Sequence, residues 1–350
     1  MKTKANSSVG IVILVVLFLG TVVVAGIANL RTLRGSQQNS LATTNPTPPV
    51  LAANAPSKEY VYSGSSLIAT VEPTPSIPAD IAIWRPSNGL WCIMGQAGSA
   101  QSFEAWGIVT DKPMPGDYDG DGKTDLAIYR ALTGYWWIYY SGTETVDSLS
   151  WGDQTNDIPV VADFDGDGRS DPTIVRWDSG NSVYVWWVLL STGGYTTYNW
   201  GTTGDKPGPA DYDGDGKGDV GMYRPGNDQF WWYGSGDGQS HDVTLNDGDQ
   251  PVSSDYDGDG KADPAIYDKD TAYWYIHQST TNSLASLQWG TANDQPVQND
   301  YDGDGKTDLA TFTSLSNDSV WTIKRSSNGT TRTEYWGATG DIPVPAFYRR

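Results

Sequence analysis

The residues of this chain best suited to chemistry are aspartates, which recur in a nine-residue pattern that is written five times. Each copy has aspartate at positions 1, 3, 5 and 9 and glycine at positions 4 and 6, and successive copies begin 44 to 48 residues apart. Four carboxylates within nine residues repel one another unless a cation lies among them. Oxygen ligands beside glycine-permitted sharp turns suit Ca²⁺. The pattern therefore predicts about five calcium sites.

The predicted ligands in each copy are the four carboxylates and the main-chain carbonyl of position 7. They are Asp117, Asp119, Asp121, Lys123 and Asp125; Asp163, Asp165, Asp167, Arg169 and Asp171; Asp211, Asp213, Asp215, Lys217 and Asp219; Asp255, Asp257, Asp259, Lys261 and Asp263; and Asp300, Asp302, Asp304, Lys306 and Asp308. An EF-hand would need glutamate at position 12, where the copies have Ile128, Ile174, Met222, Ile266 and Thr311. A nonapeptide calcium β-roll would repeat far more often along the chain.

The formal net charge of −20 comes from these loops. They hold 20 of the 42 acidic residues, which leaves 22 acids against 22 lysines and arginines, and five bound Ca²⁺ would bring the charge to −10. No basic surface for nucleic acid is predicted. The single cysteine, Cys92, excludes an intrachain disulfide and is interpreted as a small core residue.

The segments between the loops predict β-strands that would position the carboxylates. From the first loop to the second, strand-like runs cover residues 113–118, 126–130, 135–140 and 146–152, and turn residues separate them. No run has a sustained helical period. Four strands in about 45 residues is the length of a β-propeller blade. Doubled tryptophans such as Trp136-Trp137 fit a sheet covered on both faces, so both rings are predicted to be core packing.

The ends of the repeat region predict closure of a ring. Residues 80–85 match residues 125–130, and residues 336–345 match the opening of a repeat without its acidic loop. The predicted fold is thus an all-β propeller of six four-stranded blades, whose carboxyl-terminal strand completes the first blade. That blade has Glu72, Thr74 and Ser76 where aspartates are needed, so no calcium is predicted there. A seventh blade from residues 58–72 is the alternative.

Residues 1–76 are predicted to lie outside the propeller. Residues 1–30 contain an apolar run from Val9 to Ala28, long enough to cross a membrane, and we favour an uncleaved anchor over a cleaved signal peptide. Residues 31–57 read as a disordered linker rich in Pro, Ser, Thr and Asn, and residues 58–76 as a short hairpin leading into the propeller at 77–350. Because millimolar calcium is extracellular, the repeats are expected at the cell surface, with secretion as the alternative.

The complete repeat resembles the FG-GAP (VCBS-type) repeats of bacterial surface proteins, which are related to the propeller of integrin α chains. Trp-Gly stands where that family has Phe-Gly, and Asp-x-Pro follows it six times between Asp111 and Asp341. The resemblance covers residues 77–347 and departs at Leu245-Asn246, where Trp-Gly is lost. It implies a β-propeller with calcium in the loops between the first two strands of each blade, and no single activity.

Three functions are compatible with these features. We favour an adhesion or interaction module, stabilised by structural calcium, for a protein or glycan ligand. A carbohydrate-binding propeller and a hydrolase or lyase are the alternatives. No catalytic residues are assigned, because the chain has two histidines, His241 and His277, in separate predicted blades. Arginines recur at one position in four predicted blades and predict a structural pairing near each loop, with ligand contact as the alternative. They are Arg85, Arg130, Arg176 and Arg224.

Overall fold

The structure is a computed structural model that describes residues 59–63, 66–71, 77–95, 101–153, 156–315 and 318–348. All regular secondary structure in these ranges is β-strand. The described part of the chain therefore offers no helix with the length and apolarity to span a bilayer. The predicted anchor, the predicted linker and the three substituted positions at Glu72, Thr74 and Ser76 lie outside the described residues.

The first of two compact units, Met1–Pro73, contains a two-stranded antiparallel sheet. Its strands are β1 (Glu59–Ser63) and β2 (Ser66–Val71), which pair only with each other among the described residues. The alternative of a seventh blade built from this segment is therefore wrong.

The second unit, Thr74–Arg350, contains six antiparallel sheets of four strands each. The closing blade has β3 (Ala82–Arg85), β4 (Leu90–Ile93) and β5 (Ser102–Ala105). Blade 1 has β6 (Lys112–Pro113), β7 (Leu126–Arg130), β8 (Tyr135–Tyr139) and β9 (Val146–Ser150). Blade 2 has β10 (Ile158–Ala162), β11 (Asp171–Asp178), β12 (Val183–Leu189) and β13 (Tyr195–Asn199). Blade 3 has β14 (Lys206–Pro207), β15 (Val220–Arg224), β16 (Gln229–Tyr233) and β17 (Ser240–Thr244). Blade 4 has β18 (Gln250–Pro251), β19 (Ala265–Asp268), β20 (Tyr273–Gln278) and β21 (Ser283–Gln288). Blade 5 has β22 (Gln295–Pro296), β23 (Leu309–Thr313), β24 (Val320–Lys324) and β25 (Thr331–Tyr335).

The last strand, β26 (Ile342–Pro343), closes the ring by pairing with β3, so that Ile342 lies opposite Trp84. An isolated bridge between Asp80 and Ala346 extends this pairing. The predicted six-bladed propeller and its closure by the carboxyl-terminal strand are confirmed.

The first strand of most blades is shorter than predicted. In blade 1 the run expected over 113–118 is a two-residue strand, followed only by an N–H bond from Met114 to the Ala127 carbonyl and a bridge between Gly116 and Asp125. Pro113 and Pro115 have no N–H to donate, so the ladder cannot continue through them. Asp117 then begins the acidic loop.

The core lies between blades because the second and third strands are covered on both faces. Each blade has one fully buried aromatic ring in its third strand, and these rings are Trp91, Trp136, Trp186, Phe230, Trp274 and Trp321. The prediction for the doubled tryptophans is wrong in part. Trp137 and Trp187 are only half-buried, and so are both Trp231 and Trp232. Successive residues of a strand face opposite sides, and the side of Trp137 holds Arg130, whose guanidinium carbon lies 5.7 Å from the ring centroid.

The recurring arginines confirm the predicted structural pairing. Each forms a two-pronged ion pair, at 2.7 to 2.9 Å, with the aspartate of an Asp-x-Pro segment. The pairs are Arg85–Asp341, Arg130–Asp111, Arg176–Asp157 and Arg224–Asp205. The predicted position of the pairs near each acidic loop is wrong, because the arginines lie at or near the far end of the second strand, away from that loop. Cys92 is buried and unpaired, as predicted, and burial raises the pKa of its thiol.

Candidate functional site

The five acidic loops share one backbone conformation. In every copy the glycines at positions 4 and 6 have φ between 77° and 88°. Residues with a Cβ avoid this region, which explains why the pattern has glycine at both positions. The glycines let each loop turn sharply enough for its side chains to converge.

The aspartate at position 1 holds this turn together. In the first loop, Asp117 accepts hydrogen bonds from the N–H groups of Gly120 at 2.7 Å and Gly122 at 2.8 Å. The same two bonds form in the other four copies. The aspartate at position 5 accepts the N–H of position 7, as Asp121 does from Lys123 at 2.8 Å.

The aspartate at position 9 is fully buried in all five copies. Asp125 accepts the N–H of Tyr118 at 2.8 Å and the N–H of Ser141 at 2.7 Å. Burial is the main cause that raises the pKa of this carboxyl from 3.8 to about 6. The pKa of Asp171, Asp219 and Asp308 is raised to about 6 for the same reason, and that of Asp263 is also raised. Without a cation, ionisation of these buried carboxyl groups therefore costs free energy.

A serine after the third strand covers each loop, and the sequence reasoning missed it. These residues are Ser141, Ser191, Ser235, Ser279 and Ser326. Each donates its N–H to the position-9 carboxylate, and its hydroxyl donates to position 5, as Ser191 does to Asp167 at 2.7 Å. The recurrence of serine directly after the third strand was the available signal. It is weak, because serine is common in turns.

The position-7 residues contribute their side chains to the neighbouring loop. Lys306 Nζ donates to the Asp257 carbonyl at 2.7 Å in the preceding loop. Arg169, Lys217, Lys261 and Lys306 each cover the position-4 glycine of the loop before them, so that a Cβ there would approach within 2.8 to 3.2 Å. One basic side chain thus offsets part of the charge of the adjacent loop.

The arrangement of the carboxylates fits a hard divalent cation. Oxygens of Asp117, Asp119 and Asp125 lie within 4.8 Å of one another, and the same three positions come together in the third loop. In the second and fourth loops, oxygens of positions 1, 3 and 5 lie equally close. At position 3, Asp257 Oδ1 and Asp302 Oδ1 are buried and accept no hydrogen bond from the described residues. A buried carboxylate oxygen without a partner is costly, and a coordinated Ca²⁺ would satisfy it.

A further acidic cluster, in blade 4, does not fit a metal in this way. Asp249, Asp268 and Asp270 come together where Asp268 replaces the recurring arginine. Lys269 Nζ lies 3.2 Å from Asp249, and Asp268 accepts the N–H groups of Asp270 and Thr271. Protein groups thus satisfy the carboxylates of Asp249 and Asp268.

Hydrogen bonds between neighbouring loops form a continuous ring. The N–H at position 8 of each loop donates to the position-1 carbonyl of the preceding loop, as Ser170 does to Asp117 at 2.6 Å. In the closing blade Ala79 donates to Asp300 and Phe347 accepts from Thr124, which gives six equivalent bonds of 2.5 to 3.0 Å. A cation that rigidifies one loop therefore supports both of its neighbours.

Calcium affinity is expected to be about tenfold lower at pH 5 than at pH 7.5 in the four loops whose position-9 carboxyl has a pKa of about 6, because protons compete with the cation. A carboxyl with a pKa of about 6 is largely protonated one pH unit below it. The metal-free fold is affected in the opposite direction. Because the pKa is higher folded than unfolded, metal-free stability rises as pH falls from 6 towards 4. Calorimetric calcium titrations at pH 7.5 and pH 5 test this, and equal affinities would contradict it.

Comparisons with known proteins bear on the fold. No family model matches the sequence, and no curated protein matches it. A solved lectin of Agrocybe aegerita, described for specific recognition of non-reducing terminal N-acetylglucosamine, is 13% identical, with 79% of this chain and 96% of the lectin covered and a TM-score of 0.50. TolB from Acinetobacter baumannii is 15% identical, with coverages of 78% and 68% and a TM-score of 0.57. At these identities the likenesses bear on the fold alone, and the chain is a six-bladed β-propeller.

Proposed function

We propose that this chain is an exported, calcium-stabilised β-propeller of the FG-GAP type that acts as a surface adhesion or interaction module for a protein or glycan ligand. One observation carries the proposal: five loops share the same turn beside a buried position-9 carboxylate, and two of them leave a buried position-3 oxygen without a hydrogen-bond partner among the described residues. Calcium modules that bind the ion with dissociation constants of about 10⁻⁴ to 10⁻³ M are found outside cells, where calcium is millimolar. The proposed calcium sites therefore favour an exported location.

The proposed role of calcium is structural. The carboxylates of positions 1, 3, 5 and 9 would hold it, together with the position-7 carbonyl. Bound calcium would neutralise charge and fix the loops that the ring of hydrogen bonds connects. We propose no enzymatic role. His241 stacks on Trp232 and bonds to Asp237, and His277 lies in β20 of another blade.

The proposal is tested on cells that express the full chain. Protease added to intact cells is expected to remove the propeller, and retention of a protected propeller would contradict export. Such cells should also adhere to some members of a panel of immobilised matrix proteins and glycans in calcium. Adhesion should be lost in a variant with the five position-5 aspartates changed to asparagine. Adhesion that is absent, or equal in wild type and variant, would contradict the proposed function.

A second candidate function is carbohydrate binding. The Agrocybe aegerita lectin has a comparable fold and recognises a sugar. The specific observation that favours it here is a set of half-buried tryptophans beside arginines.

A further inference from the structure

Two cavities lie between neighbouring blades and have the same construction. The first, of about 250 Å³, is lined by Trp151, Arg176 and Trp187 at the boundary of blades 1 and 2. The second, of about 310 Å³, is lined by Trp200 and Arg224 with Trp231 at the boundary of blades 2 and 3. Each cavity thus has two half-buried indoles and one guanidinium. Aromatic walls with a few polar groups are typical of small-ligand sites, and the second cavity reaches the lower end of their usual volume, about 300 Å³.

The fold does not require this set of side chains. Blade 1 repeats it with Trp106, Arg130 and Trp137. The other three boundaries lack it, and the residues at the same positions are Leu245, Asp268 and Tyr275; Trp289, Thr313 and Thr322; and Trp336, Arg85 and Cys92. Those boundaries close the same ring, so packing alone does not explain the set in blades 1 to 3.

Several polar groups at these cavities have unused hydrogen-bonding capacity. Arg176 and Arg224 bond to their aspartates through Nε and Nη2, and nothing among the described residues accepts from Nη1. Beside the second cavity, Trp200 Nε1 and Trp231 Nε1 also have no acceptor in the described chain, but both atoms are buried and out of reach of a ligand in the cavity. By contrast, Trp151 Nε1 donates to the Trp187 carbonyl at 3.0 Å.

The charges around the cavities select the class of ligand. An arginine beside the rings opposes a cation, which otherwise favours aromatic walls. An anion is opposed by the paired aspartates, by the exposed Asp153 at 2.5 Å from Arg176, and by the net charge of −20. A neutral ring with apolar faces and hydroxyl groups suits both the indole walls and the fixed donors and acceptors. Exposed Tyr195, with its ring centroid 5.7 Å from that of Trp151, extends the first aromatic wall.

We propose that these two inter-blade cavities bind neutral pyranose sugars. Each sugar ring stacks on an indole, and its hydroxyls accept from the free Nη1 group of the arginine. This proposal rests on the proposed function, since it names the ligand class of the interaction module. It assigns Trp187 and Trp231 as the principal contact residues.

The test measures sugar binding to the calcium-loaded full chain. Titration with methyl glycosides of glucose, galactose, mannose and N-acetylglucosamine, followed by tryptophan fluorescence and calorimetry, is expected to show saturable binding of at least one at about 1 mM or below. The double variant Trp187→Ala/Trp231→Ala should bind at least about tenfold more weakly. Trp289→Ala, which removes the indole equivalent to Trp151 and Trp200 at a boundary without arginine, should bind like wild type.

Distinct outcomes overturn this proposal and the proposed function. No binding of any neutral glycoside at about 10 mM, binding of acidic sugars or proteins only, or equal binding by the double variant would overturn the sugar sites. If one of those results is obtained but calcium still stabilises the protein, only the sugar sites are wrong and the proposed function stands. If calcium does not stabilise the protein, the proposed function is contradicted whatever the sugar result. If the alanine variant fails to fold, crystals of wild type soaked with the bound glycoside decide the question. Sugar density away from Trp187 and Trp231 overturns the assignment.

Discussion

Chelation of calcium with EDTA is expected to lower the melting temperature of the propeller by on the order of 15 °C. Extracellular calcium modules have dissociation constants of about 10⁻⁴ to 10⁻³ M. At ~1 mM Ca²⁺ and ~10⁻⁴ M, each site contributes about 1.4 kcal/mol to the free energy of unfolding. Five sites contribute about 7 kcal/mol, which is comparable to the whole net stability of a domain.

The measurement is a pair of calorimetric or circular-dichroism melts, in calcium and in EDTA. The matched control is the variant with asparagine at the five position-5 residues Asp121, Asp167, Asp215, Asp259 and Asp304. Its melting temperature in calcium should approach that of wild type in EDTA, and EDTA should change it little. A wild-type melt that is the same in both buffers would contradict a structural role for the metal.

Truncation of the chain after Gly340 is expected to destabilise the propeller by about 5 kcal/mol or more. The deletion removes β26 and therefore exposes the edge of β3. It also removes Val344 and Tyr348, which are 5% and 7% exposed. The Arg85–Asp341 ion pair and one bond of the loop ring, from Thr124 to Phe347, are lost as well.

The control for this deletion is a chain that ends at Tyr348. It keeps every contact described for β26 and should unfold in urea at the wild-type midpoint. The shorter chain should unfold at a much lower midpoint or aggregate through the open edge. Equal midpoints for the two truncated chains would show that closure of the ring contributes little to stability.

The architecture could be predicted from the sequence because each repeat contains the same motifs at the same spacing. The match between residues 80–85 and 125–130 located the incomplete first blade, and the loop-free copy near Asp341 located its missing strand. In both cases the same residue types recur at the same spacing, because equivalent blades of a ring place equivalent residues at equivalent positions. Strand lengths were harder to predict, because Pro113 and Pro115 permit an extended chain while removing its ladder bonds.

The acidic loops could be predicted from the sequence, but the burial and the hydrogen-bond donors that hold them in place could not. Position 9 could be identified as an aspartate, yet its complete burial follows from the packing of neighbouring blades. The covering serines come from a turn 16 to 24 residues further along the chain, and only the fold brings them to the loop. The partial exposure of Trp187 and Trp231 could not be predicted either. Side chains alternate between the two faces of a strand, but this pattern does not show which face the neighbouring blade covers.

The most direct test of the account is to locate calcium in crystals of the full chain grown with about 1 mM Ca²⁺. Anomalous scattering is expected to show five calcium peaks, each among the carboxylates of one acidic loop, and none in the closing blade. Carboxylates that converge without any peak at that concentration would contradict the central claim that divalent cations hold these loops together.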